Sequence, residues 1–120
     1  DLYYTADHEW VRMDGDIATI GVTHYAQGEL GDIVFVEVET EGETLEAEEV
    51  SGTIEAVKTV SDLILPITGE TIEMNKAIDD DHSLINNDPF GAGWIIKVRV
   101  SNPSDIEGLM DATAYEAAIA

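Results

Sequence analysis

Cysteine is missing altogether from this chain, and basic side chains nearly so: 5 lysines and arginines stand against 26 aspartates and glutamates, a formal charge of −21 over 120 residues. Without thiols there is no disulfide, no thiolate metal site and no cysteine nucleophile, so any sulfur chemistry has to arrive on a cofactor. Without a basic run, the field of the protein repels nucleic acid phosphates and anionic lipid headgroups, and neither nucleic acid nor membrane is expected as a partner. No apolar stretch approaches the roughly 20 residues needed to span a bilayer, and the first residues lack the basic-then-apolar order of a secretory signal. The chain is therefore expected to be soluble and intracellular, with Asp1 in place of an initiator methionine implying that something upstream is absent. Proline numbers only 3, and no stretch rich in proline, glycine or serine divides the chain, so a single domain over residues 1–120 is expected.

What is present is enough to fold. Apolar residues make up 44% of the chain, and a domain of this length buries roughly two thirds of the surface its unfolded form exposes. The acidity also has a plain reading: a salt-adapted organism carries such surfaces on all its proteins, so charge alone assigns no function.

Short strand-like pieces separated by turn residues predict a mostly β class. Met13-Asp14-Gly15-Asp16 lies between two apolar runs, and Asp-Gly offers the positive φ angles of a two-residue hairpin turn. From Ile33 to Glu41 the alternation predicts Val34, Val36 and Val38 on a buried face, with Glu37, Glu39 and Glu41 opposite. Trp94 to Val100 repeats the scheme, Trp94, Ile96, Val98 and Val100 inward, Lys97 and Arg99 outward. Gly42-Glu43-Thr44-Leu45-Glu46 is echoed by Gly69-Glu70-Thr71-Ile72-Glu73, which suggests a pseudo-twofold β arrangement. Helices are expected at Thr23 to Leu30, at Pro103 to Met110, and after Asp111, where Ala112, Tyr115, Glu116 and Ile119 share a face.

Few residues carry a chemical signal. Lys58 is the only basic residue between Arg12 and Lys76, flanked by strand-like runs that would hold its amine in solvent if the ribbon folded back there. No Asn-Gly or Asp-Gly marks that turn, and an ordinary surface lysine fits the composition as well. His8, His24 and His82 show no metal-ligand spacing. Asp79-Asp80-Asp81 and Asn86-Asn87-Asp88 lack the glycine and terminal glutamate of a calcium loop and are expected to be solvated loop. Ser61-Asp62 with His8 lacks a nucleophile elbow, and Gly91-Ala92-Gly93 precedes a strand where a phosphate loop would open a helix.

Gly52-Thr53-Ile54-Glu55-Ala56-Val57-Lys58-Thr59-Val60-Ser61-Asp62, with Pro66, Gly69-Glu70 and Asn75, resembles the lipoyl-attachment hairpin of the glycine cleavage system H protein family. His8-Glu9-Trp10-Val11, Ala18-Thr19-Ile20-Gly21-Val22-Thr23, Leu30-Gly31-Asp32-Ile33, Leu84-Ile85-Asn86, Gly93-Trp94 and Ala114-Tyr115-Glu116 extend the resemblance in order and spacing over essentially the whole chain. Departures are local: Ala56 stands where serine is usual, Thr59 where alanine is common, Glu48-Glu49 in place of a Gly-acidic pair, Phe90 for tyrosine. Biotin carriers flank their lysine with methionine, unlike Val57 and Thr59. Lipoyl domains of 2-oxo acid dehydrogenases usually carry aspartate at position 57 and lack the terminal segments containing His8-Glu9-Trp10 and Tyr115.

The resemblance implies a lipoyl/biotinyl-type barrel-sandwich hybrid with short helices, including a C-terminal one. It implies lipoic acid in amide linkage to Lys58, placed there by a lipoate-attaching enzyme. It further implies a non-catalytic, monomeric, cytoplasmic carrier, in the prokaryotic cytoplasm more than the mitochondrial matrix. Such a carrier takes an aminomethyl group from glycine decarboxylase to aminomethyltransferase and is reoxidised by dihydrolipoyl dehydrogenase. Glu9 and Asp62 are implied as carboxylates lining a groove for the loaded arm. A carrier for another lipoate-dependent pathway, a lipoate relay donor, and an unmodified interaction module stay open as alternatives.

Overall fold

The computed structural model describes residues 2–5, 8–23, 31–38, 42–47, 49–81, 83–88, 90–101 and 103–119. Two antiparallel sheets form its framework. The larger takes β1 (Leu2–Tyr4), β2 (Glu9–Asp14), β3 (Ile17–Val22), β9 (Ile96–Val100), β8 (Gly69–Met74) and β5 (Thr44–Leu45), in that spatial order. The smaller has β6 (Val50–Ala56) between β4 (Ile33–Glu37) and β7 (Val60–Ile64). Helices α1 (Ala77–Asp80) and α2 (Ser83–Asn87), a 3-10 helix (Pro103–Gly108) and α3 (Ala112–Ile119) complete the described chain. Val11, Ala18, Ile20, Ile96 and Val98 of the larger sheet, Val36, Ile54 and Leu63 of the smaller, and Leu65 and Ile67 from their connection form one buried apolar cluster. Burying such side chains is the main favourable term in folding.

The register follows from the pattern in most places. β9 keeps Ile96, Val98 and Val100 buried with Arg99 exposed, while Trp94 is half-buried just ahead of the strand. Glu70 and Glu73 on β8 stand opposite Arg99 and Lys97, so two of the few cations face carboxylates. The two echoing segments are each other's partners: β5 pairs with β8 through Thr44 with Glu70 and Leu45 with Gly69. The Gly42 amide extends the pairing by donating to the Thr71 carbonyl at 2.7 Å.

Several expectations are corrected. Val34 is 51% exposed because the ladder slips between Ile33 and Phe35, and one extra residue reverses the side-chain phase, leaving Val36 and Val38 buried as expected. In the β2–β3 hairpin Asp14 pairs with Ile17, so Gly15 and Asp16 form the turn, with positive φ at Gly15 only. That is one residue later than Asp-Gly indicates and suits a turn with glycine first. The acidic stretch expected as loop contains α1 and α2, and the segment from Pro103 winds as a 3-10 helix ending at Gly108. The Asp111 carboxylate caps α3 by accepting from the Ala114 amide at 2.8 Å, and Tyr115 is the buried residue of that helix. The helix expected at Thr23 to Leu30 falls on residues 24–30, outside the described chain, as do His24 and His82.

Candidate attachment site at the hairpin tip

β6 and β7 fold back on each other in register, Thr53 opposite Asp62, Ile54 opposite Ser61 and Glu55 opposite Val60. The Ala56 amide donates to the Thr59 carbonyl at 2.9 Å, which leaves Val57 and Lys58 as the two turn residues. Neither has positive φ, so the tip is not made by the residue types that ordinarily nucleate such a turn.

It is held instead from outside the hairpin. The Val57 amide donates to the carbonyl of Asp32 at 3.0 Å. Asn86, on α2, fixes the segment that carries Asp32 from both sides: its Oδ1 accepts from the Ile33 amide at 2.9 Å, and its Nδ2 donates to the Gly31 carbonyl at 3.3 Å. Gly31 has φ +86°, and a Cβ there would lie 3.4 Å from Cγ of Lys58 and 3.6 Å from its Cδ and Cε. The lysine stem therefore lies across bare glycine backbone, a close approach that glycine permits.

The other described cations are differently placed. The Arg12 guanidinium donates to the Phe90 carbonyl at 2.9 Å and lies 5.1 Å from the Trp10 ring centroid. Lys97 Nζ lies 5.0 Å from the Trp94 centroid. Lys76 is exposed at the start of α1. Lys58 is exposed at the apex of the β6–β7 ribbon, with Val57 beside it 70% and Val60 59% exposed.

Glu9 and Asp62 come to the same strand from different directions. Asp62 is exposed on β7. Glu9, on β2, is only 2% exposed; its Oε2 accepts from the Ile64 amide at 2.7 Å and its Oε1 from the Thr5 hydroxyl at 3.4 Å. One carboxylate thus ties the larger sheet to the free edge of β7, two residues along from Asp62.

Beside Glu9 the backbone is unusual. His8 has φ +65°, alone among the described non-glycine residues, and its amide donates to the Thr5 carbonyl at 3.1 Å. Its Nδ1 lies 2.8 Å from the Tyr115 hydroxyl, which is also 2.7 Å from Thr23 Oγ1. Tyr4 stacks on Tyr115 with centroids 4.6 Å apart. Burial raises the pKa of Tyr115 above its ordinary 10.0, with the Thr23 hydrogen bond opposing, and raises that of Tyr4, where nearby Tyr115 and Glu116 add to the effect. The linear pattern marks Gly31 as a helix stop and Tyr115 as one residue of a helix face, and it shows none of the contacts that Asn86, Gly31 and this tyrosine cluster make. Each matters through a partner more than 20 positions away, and local pattern carries no signal for that.

A strand sandwich with a lysine at one hairpin apex defines the lipoyl-domain-like barrel sandwiches as the class. Comparison with known proteins narrows it. The family described as "Glycine cleavage H-protein" matches residues 2–120. The glycine cleavage system H protein of Bacteroides fragilis is 55% identical over 119 residues, covering 99% of this chain and 94% of that protein. The one from Symbiobacterium thermophilum is 47% identical over 117 residues, 98% of this chain and 91% of the other. The crystal structure of a glycine cleavage system H protein from Mycobacterium marinum superposes with a TM-score of 0.90 at 41% identity, covering 99% of this chain and 96% of that one. The chain belongs to the glycine cleavage H-protein family, and its role is that of a carrier component of glycine cleavage, not of a catalyst.

Proposed function

We propose that the chain, as a single domain over residues 1–120, carries a lipoyl group in amide linkage on Lys58 and moves an aminomethyl unit between the enzymes of glycine cleavage. One observation carries this reading: Lys58 stands at the apex of a two-residue turn held by Asp32, Gly31 and Asn86, its amine exposed and its stem over bare backbone. An attaching enzyme reaches such an amine without disturbing the sheets, and a fixed base under a flexible arm concentrates the arm's end at each active site it visits. A lipoyl group held by Lys58 would supply a dithiolane able to take up the aminomethyl unit as it is reduced and, once that unit has been handed on, a dithiol open to reoxidation by exchange with an enzyme disulfide.

The partners are glycine decarboxylase, aminomethyltransferase, dihydrolipoyl dehydrogenase and the lipoate-attaching enzyme, all met by a monomeric carrier. Bacterial relatives support the cytoplasm as its place, and no described helix is long and apolar enough to cross a membrane. Asp62 offers an exposed carboxylate to a cationic amine on the arm, and Glu9 fixes the backbone of the strand that presents it.

The decisive comparison is wild type against Lys58→Arg, after co-production with a lipoate-attaching enzyme. Wild type gains one lipoyl adduct, mapped to residue 58, and supports glycine-dependent carbon dioxide exchange with the decarboxylase. Lys58→Arg keeps charge and fold and does neither. Normal exchange by the variant, or an adduct on another residue, overturns the reading.

A further inference from the structure

Outward-facing residues of the smaller sheet fall into rows across β4, β6 and β7. One row is Phe35, Glu55 and Val60; the next is Glu37, Thr53 and Asp62; the row between them, Val36, Ile54 and Ser61, points toward the core. Phe35 is 40% exposed, and Val60, Val57 and Val34 more so. The slip at Ile33 to Phe35 leaves Val34 exposed at the end of the sheet where Ile33 pairs with Ala56 and the Asp32 carbonyl takes the Val57 amide. Four large apolar side chains thus gather on one face next to Lys58, where a soluble protein without a partner ordinarily shows charge. Glu55, exposed, stands between Phe35 and Val60 in their row, and the exposed Asp32, Glu37 and Asp62 flank the group.

Resting on the reading of Lys58 as the attachment point, we propose that this face docks the arm-receiving mouth of a partner enzyme, an apolar floor rimmed by lysine and arginine. Charge selects that occupant. Acylation removes the positive charge of Lys58, so among the described residues the modified tip keeps no cation and presents apolar groups, carboxylates and the neutral Thr59. A second copy of a chain with charge −21 brings the same sign against it. Phe35 and Val60 are the anchor, and the carboxylates steer the approach. The face adjoins the arm, so any enzyme that takes the arm meets it. Steering weakens with salt, whereas the apolar contact does not.

The test uses the full-length lipoylated protein with glycine decarboxylase, at equal lipoyl load by intact mass, reading KM and kcat for the carrier in carbon dioxide exchange at low and high salt. Val60→Ser and Glu55→Lys are expected to raise KM about fivefold or more while kcat stays within about twofold, as loss of an anchor or a steering charge does. The salt dependence of KM is expected to flatten in Glu55→Lys. Glu107→Lys, the same charge change on the exposed surface of the 3-10 helix, is expected to follow wild type.

Unchanged KM in Val60→Ser and Glu55→Lys overturns the proposal. So does an equal effect of Glu107→Lys, which would make net charge the cause, or a change confined to kcat, which would seat the arm itself on this face. A dimer in sedimentation equilibrium that Val60→Ser dissolves would assign the face to a second copy and overturn the proposal equally. Failure of the attachment reading is separately visible as a wild-type chain that takes no lipoyl group, and it removes both.

Discussion

Thr71 is fully buried on β8, and its Oγ1 has no hydrogen-bond partner among the described residues. A buried hydroxyl without a partner forfeits its hydration for nothing, so the near-isosteric Thr71→Val is expected to stabilise the fold by about 1 kcal/mol. A chemical-denaturation midpoint equal to or below wild type would show that the hydroxyl is satisfied in solution. Tyr115 is the opposite case, a buried hydroxyl shared between His8 and Thr23. Its raised pKa sets a pH limit. Below pH 10.0 both folded and unfolded chains hold the phenol proton; above it the unfolded chain ionises first, and stability falls until the folded-state value is passed. Tyr115→Phe is expected to cost about 1–2 kcal/mol at neutral pH through its lost hydrogen bonds. It should also lose less stability than wild type as the pH rises above 10.0, with Tyr4 accounting for part of what is left. Parallel melting curves for the two proteins across that range would discount the tyrosine.

At the scale of elements, α2 does more than cover the sandwich. Through Asn86 it grips residues 31 and 33, and through the Asp32 carbonyl that grip reaches the tip between β6 and β7. Asn86→Ala leaves the buried Ile33 amide without its acceptor, a loss of about 1–2 kcal/mol. It is expected to speed hydrogen exchange at Ile33 and Val57 while the amides of β2 and β3 keep wild-type protection. Uniform acceleration across both sheets would show that Asn86 supports the fold as a whole and not the tip. The β6–β7 ribbon was legible in sequence as two apolar runs about one lysine. Its turn was not, because Val57 and Lys58 have no intrinsic turn preference and acquire their geometry from Asp32, Gly31 and Asn86.

For the molecule as a whole, repulsion among 26 acidic side chains opposes compaction. Two of the five cations are set against Glu70 and Glu73 across the β8–β9 ladder, and this leaves most of the charge uncompensated. Added sodium chloride shortens the Debye length from about 30 Å at 0.01 M to about 3 Å at 1 M, so the melting temperature is expected to rise on the order of 5 °C over that range. A flat or falling melting temperature would mean that the carboxylates are far enough apart, or well enough paired, not to strain the fold.

Alternation, turn residues and the ordered string of family motifs lie in the linear chain, and from these the sequence alone determined the mostly β class, the β2–β3 ribbon and the inward face of β9, and made Lys58 the candidate for attachment. Period-two patterning is a local property that survives any tertiary arrangement. The tertiary structure decided what depends on distant partners: the slip that exposes Val34, the helices within the acidic stretch, the burial of Glu9 against Ile64, and the hold of Asn86 on the hairpin tip. Hydrogen bonds between residues tens of positions apart leave no trace in local propensity. They form only once the two sheets have closed over their common core.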